Sequence, residues 1–249
     1  MTWVKICGTT NLEDALVAVD AGADAVGFVF YEKSPRNITF EAAREIVEKL
    51  PEGVEKIGVY VIGDEVNPLK VLLEVGLSGM QAYASAECGE QRSGSFEAVG
   101  AGPLPDRVRY ARFLTALPMK LIGEDEEELQ KLASDSAEWG KDRPKGVSPP
   151  ERMAATVVLD SGDLRQPGGT GKTFDWKMAV PIAEGMRQSG VKLVVAGGLT
   201  PENVGEAIEI LKPWGVDVVS GVESTPGKKD PKKVRAFVRA VREIDRKTS

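Results

Sequence analysis

The sequence predicts an α/β fold, a (β/α)8 TIM barrel in a single domain, and three observations lead there. About eight short β-rich runs alternate with amphipathic helical stretches along the chain. The 249 residues match the roughly 250 that such a barrel needs. The last two β-rich runs end on small residues, in "VAGGL" and "VVSGV", where a strand would turn toward a helix. Alternation of this kind implies right-handed βαβ units and a parallel sheet, and eight units in this length favour closure over an open doubly wound sheet.

Each element has its own signal. "TWVKIC" (2–7) reads as the opening strand. The helix after it has a capping box of Thr10 and Glu13 and a stop at Gly22. "DAVGFVF" (24–30) is the second strand, and 39–50 is a helix with Ala42, Ala43, Ile46 and Leu50 on one face. "VEKIGVYV" (54–61) is a strand, 67–76 a short helix with proline just inside its start, and "SGMQAY" (78–83) the fourth strand. Residues 84–109 lack periodicity and read as a loop insertion. "YARFLTAL" (110–117) follows as a strand, 124–139 as a helix, and 140–153 as a second polar insertion. "ATVVLDS" (155–161) is the sixth strand, and 175–190 a helix with a proline inside it. "KLVVAGG" (192–198), a helix at 201–213, "GVDVVSG" (215–221) and a helix near 230–245 complete the series. The whole of 1–249 is read as one barrel domain carrying two insertions, taken as surface decoration rather than access loops.

Composition narrows the function. The net charge of -6 argues against a nucleic-acid or membrane-surface partner. No apolar stretch approaches the roughly 18–20 residues of a membrane span. The opening "MTWVKICG" goes straight into a strand with no signal peptide in view, and two cysteines make no disulfide framework, so a cytoplasmic home is expected. Histidine is absent, which excludes a Ser-His-Asp triad and the usual histidine zinc sites. Acid–base work must then fall to Asp, Glu, Cys, Lys or Tyr. A monomer is expected, because no exposed apolar stripe stands out.

In barrels of this kind chemistry gathers at the C-terminal ends of the strands. Applied here, that rule collects Cys7, Phe30, Val61, Tyr83, the 116–119 region, Asp160, Ala196, Gly197, Gly198, Ser220 and Gly221 at one mouth. The turns at Gly197–Gly198 and Ser220–Gly221 follow strands seven and eight, the usual phosphate site of the fold, where backbone N–H groups approach an anion closely. Ordinary tight-turn glycines are the competing reading. Such a nest of amides binds phosphate without a basic surface. "PGGTGKT" (167–173) fails the phosphate-loop pattern because Gln166 stands where its first glycine would be. Arg36, in the polar loop after the second strand, is either a fork for a carboxylate or a solvated charge. Asp160 ends "VVLD" as either a satisfied cap or a catalytic group. Cys7 taken alone reads as a small buried hydrophobe. Glu13, Asp14, the acidic run at 124–128 and the lysines at 228–233 read as caps and solvated faces, and Cys88 as incidental.

Several stretches together resemble the phosphoribosylanthranilate isomerase family of tryptophan biosynthesis. They are "VKICGTTNLEDALVAVDAGADAVGFVFYEKSPRNIT", "VVLDS", "GGTGKTFDW", "VVAGGLTPENV" and "GVDVVSGVESTPGKKD". The resemblance implies a barrel enzyme without cofactor or metal that performs an Amadori rearrangement. The small phosphorylated substrate N-(5-phosphoribosyl)anthranilate becomes 1-(2-carboxyphenylamino)-1-deoxyribulose 5-phosphate. It places the catalytic cysteine on Cys7, the catalytic aspartate on Asp160 and the carboxylate-binding arginine on Arg36. It also assigns an orienting pocket aspartate to Asp217, and the phosphate turns to Gly197, Gly198, Ser220 and Gly221. The fourth strand departs from the family: "MQAYA" stands where "VQLHG" is usual, so Tyr83 replaces a pocket histidine. Two other readings stay open beside this one. One is the related aminoaldose isomerase of histidine biosynthesis, which carries aspartate where this chain has Cys7. The other is a non-catalytic barrel that binds a phosphorylated ligand.

Overall fold

The computed structural model describes residues 1–62, 67–83, 111–119, 156–162 and 173–248. Eight parallel strands close into a barrel in sequence order. They are β1 (Trp3–Ile6), β2 (Ala25–Val29), β3 (Glu55–Val61), β4 (Gly79–Tyr83), β5 (Arg112–Pro118), β6 (Thr156–Asp160), β7 (Lys192–Val195) and β8 (Gly215–Val218). Closure is made by β1 on β8, with Trp3 opposite Gly215 and Ile6 opposite Val218. The described helices are α1 (Leu12–Asp20), α2 (Phe40–Val47), α3 (Pro68–Val75), α4 (Val180–Gln188), α5 (Val204–Leu211) and α6 (Pro231–Thr248). No helix among the described residues is long and apolar enough to cross a membrane. The insertions read at 84–109 and 140–153, the helix read at 124–139, the "PGGTGKT" loop up to 172 and Cys88 lie outside the described residues.

Strand alternation sorts the side chains into two layers. Val4, Ile6, Val26 and Phe28 face outward and pack under the helices with Leu72, Phe237 and Val241. Trp3, Cys7, Ile57, Val59, Tyr83, Leu114, Val158 and Val194 face inward and fill the barrel. Phe30 belongs to the outer layer, packed edge-on against Phe40 with centroids 5.1 Å apart, so it does not line the mouth as its position at a strand end suggested.

Local chemistry explains the helix ends, with some corrections. Asn11, not the Thr10–Glu13 pair, caps α1: its side-chain oxygen accepts from the Asp14 N–H at 2.9 Å. Thr39 caps α2 and Asn67 caps α3 in the same way. The helix expected over 175–190 begins only at Val180, which places Pro181 in its first turn, where a missing N–H costs nothing. After β8 the chain forms a 3-10 turn at Ser220–Val222 and a small hairpin, β9 (Glu223–Thr225) against β10 (Lys228–Lys229), neither of which the strand-and-helix alternation predicts. Asp14 and Lys229, expected among caps and solvated faces, are both buried, and the Lys229 N–H donates to Asp14 Oδ2 at 2.8 Å. That bond ties the hairpin to the start of α1. Helix α6 in turn locks the first strand: Asp245 accepts from the Thr2 N–H at 2.9 Å, and Arg242 donates to Asp24 Oδ2 at 2.8 Å.

Candidate active site

The C-terminal rim gathers the titratable groups of the barrel interior. Cys7 follows β1, and its N–H donates to Val218 O at 2.9 Å, extending the β1–β8 ladder to the rim. Its thiol is buried, and this burial pushes its pKa up; the nearby Lys5 ammonium opposes the shift and Asp217 adds to it. Asp160 ends β6, also buried, and burial raises its carboxyl despite two donors. Those donors are the Tyr83 hydroxyl, on Oδ2 at 2.7 Å, and the Gly162 N–H, on Oδ1 at 2.8 Å. Tyr83 itself titrates well above its ordinary value, first through burial and then through the neighbouring Asp160.

Below the rim lies a polar layer that the sequence reading left out, apart from Asp217. Lys5 is fully buried; its Nζ donates to Asp217 Oδ2 at 2.6 Å and to Gln81 Oε1 at 2.8 Å. The Gln81 amide donates in turn to the Tyr83 hydroxyl at 3.2 Å. The order follows from donor chemistry. An ammonium only donates, so the Gln81 carbonyl must face it, and the Gln81 amide then points at Tyr83. The Tyr83 hydroxyl, already accepting, sends its single proton to Asp160. A signal existed for all three polar residues: Lys5, Gln81 and Asp217 each interrupt an apolar strand, in "WVKI", "GMQAY" and "GVDV". In a sheet buried on both faces such an interruption has to be paired inside.

On the other side of Cys7 stand the loop after β2 and the β9–β10 hairpin. Arg36 is buried there as a fork on Glu223, with Nε donating to Oε1 at 3.0 Å and Nη2 to Oε2 at 2.8 Å. The bidentate edge expected to be free for a ligand carboxylate is thus taken by Glu223, while Nη1 makes no hydrogen bond to a described residue. Glu223 also accepts from Lys229 Nζ at 3.1 Å. Burial would raise the Glu223 carboxyl, but Arg36 and Lys229 outweigh it and hold it below its usual range. Burial lowers Lys229 despite Glu223 and Cys7. Glu223 thus faces two cations, while the buried Asp14 carboxylate lies against the Lys229 backbone. Glu223 carries no distinguishing signal in the sequence, and Lys229 passes there for one of the solvated lysines at 228–233.

The glycine turns complete the rim. A cleft there is lined by Asp160, Gly197, Gly198, Asp217 and Ser220, among others. Gly197 and Gly198 take φ of 84° and 62°, the left-handed region that favours glycine. Asn203 braces this turn, its amide donating to Gly198 O at 3.0 Å. A Cβ on Gly221 would overlap the Leu199 carbonyl, so the two turns touch through backbone alone. The structure therefore brings Asp160, Asp217 and both turns to one cleft, with Cys7 and Tyr83 buried beside it and Arg36 beyond Cys7. Among the described residues, no group of three or more His, Cys, Asp or Glu side chains is placed to hold a metal ion.

Known proteins resemble this one along nearly its whole length. The family model described as N-(5'phosphoribosyl)anthranilate isomerase matches residues 145–240. An N-(5'-phosphoribosyl)anthranilate isomerase of Pseudomonas aeruginosa is 40% identical over 239 residues, covering 96% of this chain and 94% of its own. The crystal structure of phosphoribosyl anthranilate isomerase from Thermotoga maritima superposes with a TM-score of 0.69 at 34% identity, over 98% of this chain and 100% of that one. A crystal structure of phosphoribosyl anthranilate isomerase in complex with reduced 1-(o-carboxyphenylamino)-1-deoxyribulose 5-phosphate matches with a TM-score of 0.68 at 32% identity, over the same shares of the two chains.

Proposed function

The chain belongs to the N-(5'-phosphoribosyl)anthranilate isomerase family, and we propose that it is itself a working isomerase of N-(5'-phosphoribosyl)anthranilate, with Cys7 as general base and Asp160 as general acid. The observation that carries this reading is the shared neighbourhood of a buried thiol, a buried carboxyl with a raised pKa and two backbone turns open to an anion.

The chemistry follows from those groups. Asp160 protonates the furanose ring oxygen, and the ring opens to an iminium. The Cys7 thiolate removes the C2′ proton, and the enolamine so formed tautomerises to the ketone. An unperturbed aspartic acid is only about one part in a thousand protonated at neutral pH, so the upward shift from burial supplies acid form. The Tyr83 and Gly162 donors hold the carboxylate left after transfer. Asp217, fixed by Lys5 through Oδ2, keeps its buried Oδ1 without a hydrogen bond and can orient a substrate hydroxyl. The turns at Gly197–Gly198 and Ser220–Gly221 hold the phosphate away from the reacting carbons. Arg36 meets the anthranilate carboxylate with Nη1, its other edge being braced by Glu223. Tyr83 in place of histidine leaves this acid–base pair intact, since its hydroxyl donates to Asp160.

The test is direct. Purified protein added to freshly made N-(5'-phosphoribosyl)anthranilate should accelerate the loss of substrate fluorescence. No acceleration would favour a phosphorylated-ligand-binding barrel, and turnover of the histidine-pathway aminoaldose instead would revive the second reading.

A further inference from the structure

The proposed base sits beside the most deeply buried cation of the described barrel interior. Lys5 has no exposed surface, and its ammonium is held in place from two sides, by Asp217 at 2.6 Å and Gln81 at 2.8 Å. An ammonium has three hydrogens, and these partners take two of them. The third direction faces Cys7. Gly27, on the neighbouring strand, shows the convergence. A Cβ built there would lie 2.5 Å from Cys7 Sγ and 2.9 Å from Lys5 Cε, so glycine leaves the space that both side chains share. A flexible lysine on a surface would waste its charge in solvent, whereas this one cannot leave.

We propose that Lys5 is a positioning residue of the isomerisation, holding the Cys7 sulfur at the rim and stabilising its thiolate. The inference rests on the reading of Cys7 as base and Asp160 as acid. Other charged or titratable groups facing the thiol are Asp217 from β8, Lys229 from β10, with Arg36 behind it, and Tyr83 from β4 with Asp160 beyond. Of these Asp217 opposes the thiolate, and Lys229, paired with Glu223 as Lys5 is with Asp217, favours it less than Lys5 does. Lys5 is the cation whose remaining hydrogen is aimed at the thiol, in the space that Gly27 leaves to both side chains.

Geometry of this kind has a kinetic signature. The thiol starts about four to five units above the carboxylic acid, and both are raised by burial. The productive form, thiolate with protonated acid, is then a minor species. Its population is flat between the two titrations and equals the ratio of the two acid constants there. Weakening the thiolate lowers that plateau and carries the alkaline limb upward by the same factor. Misfolding lowers the plateau without moving the limb.

The experiment uses a Cys88→Ser background, which leaves Cys7 as the single thiol of a chain with two cysteines. Thiolate ultraviolet absorbance is titrated with and without Lys5→Met, alongside the pH profile of turnover. Lys5→Met should raise the thiol midpoint by about one pH unit or more, lower the turnover plateau about tenfold or more, move the alkaline limb up to match, and leave KM within about threefold. A folded Lys5→Met protein with an unmoved thiol midpoint overturns the proposal. Should that variant not fold, nitrogen NMR of lysine-labelled Cys88→Ser protein decides. Alkylating Cys7 with iodoacetamide should shift the buried Lys5 ammonium resonance, and an unshifted resonance overturns the proposal. The thiol midpoint is read without substrate. Absence of turnover in the parent would therefore count against the proposed function separately, while the midpoint still answers for Lys5.

Discussion

The two ends of the barrel are both lined by charges and rings, yet they spend them differently. At the N-terminal end Trp3 and Trp214 stack with centroids 5.1 Å apart. The Arg112 guanidinium lies 4.7 Å from the Trp214 ring and forks onto Glu55 at 2.7 and 2.8 Å. Lys192 covers the same indole at 4.5 Å. A guanidinium keeps its charge at any pH the fold survives, and its planar fork and flat faces suit packing. At the C-terminal end one guanidinium, Arg36, is likewise forked onto a carboxylate, but it stands among a thiol, a phenol, carboxyls and ammonium groups that exchange protons, several with pKa values displaced by burial. One end is a plug, and the other, on the function proposed above, handles protons. The difference shows where this chain places stability and where it places chemistry.

Substitutions can break or sharpen that contrast. The largest effect is expected from Cys7→Ala and Asp160→Asn, which should each cost at least about a thousandfold in turnover, about 4 kcal/mol of barrier, while leaving the melting temperature unchanged or raised. Near-normal turnover in either would remove that residue from its role. At the opposite end Trp3→Ala should cost about 3 kcal/mol of stability by denaturant titration, with turnover per folded molecule within about threefold. A strong loss of turnover there would erase the division between the ends. Arg112→Met should cost about 2 kcal/mol, and pairing it with Glu55→Gln should recover part of the loss, because the penalty lies in a carboxylate left without its partner. Smallest is Tyr83→Phe. It removes one donor from the Asp160 carboxylate, so the acid's pKa rises further and the acidic limb of the pH profile moves up, with plateau turnover changed only a few-fold. An unmoved limb would mean that the hydroxyl does not reach the acid during catalysis.

Much of this was legible in the sequence, for identifiable reasons. The alternation of strands and helices follows from binary pattern, and the closed order of eight strands agrees with it. The strand-end rule alone points to Cys7, Asp160 and the two glycine turns, and the structure places them around one rim, whereas Asp217, inside its strand, comes only from the family resemblance. What escaped has a common cause: partners distant in sequence. Asp14 looks like a first-turn acid on a helix, and only the return of the chain at Lys229 buries it. Glu223 gives no sign of burial in the sequence, because its partner Arg36 is 187 residues away. Lys5 and Gln81 interrupt apolar strands visibly, but their pairing spans 76 residues of chain. Phe30 went wrong in the opposite sense, since parity along the strand, not position at its end, decides which layer a side chain enters.

Strand β1 carries Trp3 and Lys5, and Cys7 just beyond it keeps the same alternation, so one short segment reaches from the plug through the buried ion pair to the rim. A slip of one residue against β8 would exchange this set for Val4 and Ile6. It would unstack the indoles, strand Asp217 without its cation and send the thiol among the helices in a single error. The segment thus acts as its own proofreader. A barrel closed in the wrong frame would lose the plug, the ion pair and the rim thiol together.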